Sequence, residues 1–243
     1  MKQREKMLSS DAEEEKKSII SSGNNEIDKR LGGGIPCGSL TLVEGHSDAG
    51  KSVFAQQLIW GSLHDHHKVL LFSTENTVKS LVVQLQSLGL DILDYLLLGW
   101  IKVYHLQPSK MELNSVFDTL IETMKRFPNY ELIIVDSLTP VVAYVSLEES
   151  LSYFERCKRI CDGGQTIINV AHSFAFNDEI LIRIRSLCDA HIHLRIEEVG
   201  DKLLKSLEVA KVRGANKTTG NIMSFDVEPG IGMKILPLSK AKV

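Results

Sequence analysis

The chain has 243 residues, 43% of them hydrophobic and 24% charged, with a formal net charge of −3. That balance supplies a packed core and excludes a chain dominated by polar or repetitive sequence. It also gives no general surface for polyanions, and no apolar run is long enough to span a bilayer.

The opening MKQREKMLSSDAEEEKK is charged and poor in apolar residues, so residues 1–18 read as a solvated tail. The closing SKAKV, residues 239–243, reads the same way. Between them no Pro- or Ser-rich linker and no internal repeat appears, and residues 19–238 are expected to form a single domain. LTLVE (40–44) is a buried strand by its apolar, β-branched run. GHSDAGKS (45–52) follows at once, and the segment after it places Val53, Phe54, Leu58 and Leu63 near helical spacing.

The alternation continues along the chain. KVLLFST (68–74) is a strand, VKSLVVQLQSLG (78–89) a helix ending at Gly89, and IKVYHL (101–106) a strand. A helix with Leu113, Val116, Phe117, Leu120, Ile121 and Met124 on one face precedes the strand ELIIVDS (131–137). EESLSYFERCKRICDGG (148–164) is a helix stopped by two glycines, and QTIINVAHS (165–173) a further strand. Strands alternating with helices require crossover connections, hence an α/β fold with a mostly parallel sheet. After a helix near 178–188, the stretches AHIHLRIEE, GDKLLKSLEVAKVRG, MSFDVEP and GIGMKIL read as strands joined by short turns, expected to extend the sheet in antiparallel fashion.

GHSDAGKS fits G-x-x-x-x-G-K-[ST] and lies between a strand and a helix, the context that gives this motif its chemistry. A glycine-bearing loop turns successive N–H groups inward, and the helix N-terminus adds unpaired donors and a positive dipole end. Gly45, His46, Ser47, Asp48, Ala49, Gly50, Lys51, Ser52 and Val53 are therefore candidate ATP-binding residues. Lys51 is suited to the β and γ phosphates and the Ser52 hydroxyl to Mg²⁺. Asp136 ends an apolar strand, where open α/β sheets place ligand groups, and is a second candidate for the metal, directly or through water.

Glu75 closes a strand and is a candidate for polarising an attacking water, or else an exposed loop carboxylate. His172 closes another and is a candidate γ-phosphate contact, or else a loop histidine. Lys211, Arg213 and Lys217 surround a glycine; they form either a charged turn or a set of cations reaching a phosphate. HDHH (64–67) reads as a solvated helix end, and His191 and His193 as structural residues on one strand face. Cys37, Cys157, Cys161 and Cys188 contain no C-x-x-C and read as buried thiols in a reducing cytosol rather than zinc ligands. Arg183 and Arg185 beside Asp178 and Glu179 are too few cations for a DNA-binding loop.

GNNEIDKRLGGGIPCGSLTLVEGHSDAGKS resembles the opening of RecA-superfamily proteins related to the circadian-clock ATPase KaiC. The similarity runs through VLLFSTENT, LIIVDSLTP, TIINVAHS, AKVRG and EPGIGMKILPL, about residues 23–238. Within that group the chain is most similar to the KaiC-like ATP-binding family of the archaeal flagellum (archaellum) motor. The resemblance implies a RecA-type sheet, ATP with Mg²⁺ as cofactors, and homo-oligomeric rings of six with nucleotide at each subunit boundary. It implies docking to the motor ATPase, a membrane platform protein and a cytosolic scaffold. The location implied is cytoplasmic, peripheral to the membrane through that complex. Gly45–Ser52 match the phosphate loop and Asp136 the Walker B aspartate, while Lys211 and Arg213 match the K-x-R-G that touches a neighbour's nucleotide, with Lys217 at a further contact. Where KaiC-type enzymes carry two adjacent glutamates, this chain has Glu75 followed by Asn76, which agrees with an ATP-binding switch of little or no turnover. The alternatives are an active ATPase using Glu75, or a recombinase-like DNA-binding protein.

Overall fold

A computed structural model describes residues 18–110, 116–143, 145–199, 202–214 and 222–237. Lys217, Leu113 and nearly all of the two tails lie outside the described residues. A two-stranded antiparallel pair, β1 (Ile19–Ile20) and β2 (Ile35–Pro36), brackets helix α1 (Asn25–Arg30). The Asn24 side chain caps α1, accepting from the N–H groups of Glu26 and Ile27.

The main sheet has nine strands: β3 (Leu40–Gly45), β4 (Val69–Ser73), β5 (Ile101–His105), β6 (Leu132–Asp136), β7 (Thr166–His172), β8 (Ala190–Val199), β9 (Lys202–Val212), β10 (Ile222–Glu228) and β11 (Gly232–Ile235). Their spatial order is β11-β10-β9-β8-β3-β7-β6-β4-β5. Pairing from β5 through to β8 is parallel, and β9, β10 and β11 run antiparallel. The reversal thus comes one strand later than the sequence suggests. β8 follows a helical crossover and lies parallel to β3, and only its β9 side is antiparallel.

Helices α2 (Lys51–His64), α3 (Val78–Ser87) and α4 (Leu93–Leu97) join α1 on one face. Helices α5 (Val116–Arg126), α6 (Thr139–Val142), α7 (Leu147–Asp162) and α8 (Asp178–Leu187) cover the other. The parallel strands serve both layers because successive side chains point to opposite faces. Leu132 and Ile134 of β6 pack toward α2, and Ile133 and Val135 toward α5 and α7. Helix α7 starts at a reciprocal cap between Ser146 and Glu149 and stops at Gly163, with Gly164 at φ +103°.

The antiparallel extension folds back against α2. Gln57 of α2 donates to the Ser22 carbonyl at 3.0 Å and accepts from the Met233 N–H at 3.4 Å. The β10–β11 turn docks on α3, where the Gly230 N–H donates to the Ser87 carbonyl at 2.8 Å. Cys157, Cys161 and Cys188 are buried free thiols, as their apolar neighbours suggest, whereas Cys37 is only half-buried. In HDHH, His64 and His66 are exposed but His67 is buried, so that stretch turns inward at its end rather than remaining wholly solvated.

Candidate functional site

The central strand β3 ends at Gly45, and the chain loops over the sheet edge before α2 begins at Lys51. Gly45 has no room for a side chain, because a Cβ there would lie 2.2 Å from the Leu194 carbonyl oxygen of β8. The loop turns through left-handed conformations at Asp48 (φ +58°) and Gly50 (φ +92°). Gly50 also lies under the Phe225 ring of β10, 3.1 Å from where its Cβ would stand. The first intrahelical bond of α2 runs from the Phe54 N–H to the Gly50 carbonyl, leaving the preceding N–H groups at the helix start for another acceptor. No side chain caps this end.

The loop borders a cleft of about 420 Å³. Ser47, Asp48, Gly50, Lys51, Ser52 and Val53 line it, with Glu75, Asp136 and His172 from neighbouring strand ends. The structure therefore brings these sequence candidates together. Gly45, His46 and Ala49 belong to the loop but do not line the cleft; Ala49 is buried, and the His46 ring stacks on Phe174 at 5.5 Å between centroids.

Lys51 curls over the loop and donates to the His46 carbonyl at 2.6 Å. Burial lowers its pKa, while the charges of Asp136, Glu75 and Asp48 oppose that shift. Across the cleft the Ser52 hydroxyl donates to Asp136 Oδ1 at 3.2 Å. Burial, then the Glu75 charge, push the Asp136 carboxyl up to about 6, with Ser52 and Lys51 pulling the other way. A hydroxyl and a carboxylate side by side at the edge of a phosphate-sized cleft suit Mg²⁺, which takes one or two protein oxygens and completes its shell with phosphate and water. Among the described residues no group of three or more His, Cys, Asp and Glu side chains could hold a metal by itself.

His172 is fixed through its backbone N–H, which donates to Thr139 Oγ1 at 2.8 Å. Burial and then the Lys51 charge lower its pKa, which favours the neutral form of the imidazole at the cleft. Glu75 is exposed at the cleft rim. Asn76 also lines the cleft, with its side chain tied to α3. Its amide donates to Gln84 Oε1 at 3.4 Å and its Oδ1 accepts from Ser80 at 3.2 Å.

Sequence reasoning missed the opposite wall, which Lys205 of β9 and Val227 of β10 supply, and also Gln84. Lys205 makes no ion pair with the described residues. Its signal was a cation in an alternating strand, and only the order β10-β9-β8-β3 brings it to the loop. Lys211 and Arg213 stand elsewhere. Gly45 registers with Leu194 and Leu207, whereas Val212 registers with Ala190 and Thr41. The Lys211–Arg213 turn is thus about 13 Å along the sheet from its own phosphate loop, the four residue steps from Thr41 to Gly45 at roughly 3.3 Å each. Lys211 Nζ donates to the carbonyls of Arg185 and Cys188 at the end of α8, and the Arg213 guanidinium is mostly exposed, 3.8 Å from Asp189.

Together the sheet order, the glycine-bearing loop between β3 and α2 and the aspartate ending β6 define a RecA-like phosphate-loop protein. A family model described as "ATPase: KaiC" matches residues 20–240. The chain belongs to this KaiC family of ATPases and, within it, to the archaeal flagellar ATP-binding proteins FlaH. It is 30% identical to FlaH of Sulfolobus acidocaldarius over 229 residues, 92% of this chain and 99% of that protein. It is 30% identical to FlaH of Methanocaldococcus jannaschii over 223 residues, 89% of this chain and 94% of that one. The crystal structure of flagellar accessory protein FlaH from M. jannaschii superposes with a TM-score of 0.80 at 28% identity, covering 90% and 99% of the two chains.

Proposed function

We propose that the chain is an ATP-binding regulatory and assembly component of the archaellum motor, forming nucleotide-dependent rings with slow or no hydrolysis. The observation that carries this reading is the separation of the phosphate-loop cleft from a second set of cations. Lys51 and Ser52 face Asp136 at one end of the sheet, while Lys211 and Arg213 stand at the other. They cannot meet around one phosphate within a chain, but head-to-tail copies bring them together. ATP and Mg²⁺ held by Gly45–Val53, Asp136 and His172 would then be reached in trans by Arg213, with Lys211 beside it. Nucleotide that binds the assembled state better drives the ring by mass action.

The ring would present one surface to the motor ATPase, the membrane platform protein and the cytosolic scaffold. Residues 19–238 act as its single domain. The proposed location is the cytoplasmic side of the motor complex, and no helix among the described residues is long and apolar enough to cross a membrane. Slow turnover is supported by the cleft rim, where Glu75 is followed not by a second glutamate but by Asn76, which is held by α3.

Light scattering after size exclusion, with and without Mg-ATP, tests the reading. Larger particles are expected only with Mg-ATP. Lys211→Ala combined with Arg213→Ala should lose them while each chain keeps its phosphate loop. An unchanged oligomer distribution in the double variant refutes the proposal.

A further inference from the structure

Glu44 is an acid in the middle of the sheet, fully buried, one residue before the phosphate loop. Its Oε1 accepts from Arg185 of α8 and lies 2.7 Å from His191 Nε2 of β8. The other oxygen, Oε2, has no partner among the described residues. Burial alone raises the carboxyl's pKa, but His191 and Arg185 outweigh it and keep the group charged. A well-packed apolar residue would fill such a position without the desolvation penalty, so stability alone gives little reason for an ion pair here.

Arg185 has a second connection. Its backbone carbonyl, with that of Cys188, accepts from Lys211. The next acid, Asp189, accepts from the Leu40 N–H that starts β3 at 3.0 Å and from Lys158 at 2.7 Å, and its carbonyl accepts from the Arg213 N–H at 2.9 Å. The last turn of α8 is therefore fastened to β3 at both ends and carries the Lys211–Arg213 turn with it.

We infer that Arg185 is a positioning residue: by clamping α8 to Glu44, it holds each subunit's Lys211–Arg213 turn in fixed relation to that subunit's own phosphate loop. This rests on the proposal that the turn meets a neighbour's nucleotide. Given that, a nucleotide seated in one loop biases the geometry offered to the next site, and successive sites around a ring are coupled through α8.

The test separates binding from assembly in the full-length chain. At protein concentrations too dilute for assembly, Arg185→Ala should bind a fluorescent ATP analogue with Mg²⁺ within about threefold of wild type. At saturating Mg-ATP, the protein concentration at half-assembly should rise about tenfold or more, inside the usual range of coupling factors. Arg185→Lys should recover most of that loss, since an ammonium can still reach Glu44. Glu44→Gln, which keeps the volume but not the charge, should show the same split and serves if Arg185→Ala fails to fold. A purely structural role would lower the melting temperature and weaken binding and assembly together; that outcome, or assembly unchanged in both variants, overturns the inference alone. Wild-type chain that stays monomeric with Mg-ATP overturns the ring reading and this inference with it.

Discussion

Replacing Asp136 with asparagine should stabilise the protein in the absence of nucleotide while removing its response to Mg-ATP. Asp136 is buried at the end of β6 with its carboxyl raised from 3.8 to about 6. A raised carboxyl means that the ionised form is disfavoured in the folded state. Wild-type stability therefore falls as pH rises from about 4 through 6 and then levels off. At 1.36 kcal/mol per pKa unit the penalty is about 3 kcal/mol at pH 8, about 1.5 kcal/mol at pH 5, and near zero below pH 4. Asp136→Asn keeps an oxygen for the Ser52 hydroxyl, bonded at 3.2 Å in wild type, and has no charge to desolvate. Urea titrations should place the variant above wild type by those amounts, and melting at pH 8 should shift upward by roughly 6–12 °C for a chain of this size. Adding Mg-ATP should raise the wild-type midpoint and leave the variant's nearly unmoved. A variant no more stable than wild type at pH 8, or a gain that does not shrink at pH 5, would refute the idea that this cleft carboxylate is held ready for a metal ion at the expense of stability.

Gly45→Ala sets a methyl group against the Leu194 carbonyl, at a distance only strand movement can relieve. The expected loss is about 1–3 kcal/mol by denaturant titration, together with weaker Mg-ATP binding; wild-type stability would show that the β3–β8 spacing is softer than argued. Lys205→Ala should lower Mg-ATP affinity about tenfold by calorimetry, yet change stability by less than about 0.5 kcal/mol, as expected for a partly exposed residue with no ion pair among the described residues; equal affinity would remove the cation from the site.

Much of this was legible because the signals are local. The strands 68–74 and 131–137 and the amphipathic helix containing Val116–Met124 follow from apolar spacing, which reflects which faces must be buried. The phosphate loop was legible because a left-handed turn and a helix start require particular residues within eight positions. Lys205 was not, since its place in the cleft depends on strands meeting across the sheet. Glu44 looked like the end of an apolar run, and its partners Arg185 and His191 are distant in sequence. Arg185, which with Arg183 makes too few cations for a DNA-binding loop, bonds to the buried Glu44. The short helices α4 and α6 lack the length for a periodic signal.

The β10–β11 hairpin has a consequence for how the protein is made. Its Phe225 covers Gly50, and Met233 bonds to Gln57 of the helix that begins at Lys51. A ribosome delivers the phosphate loop about 170 residues before this hairpin, so during translation the loop waits for its lid. Nascent chain should acquire nucleotide affinity abruptly, once the hairpin clears the exit tunnel, rather than gradually as the sheet grows.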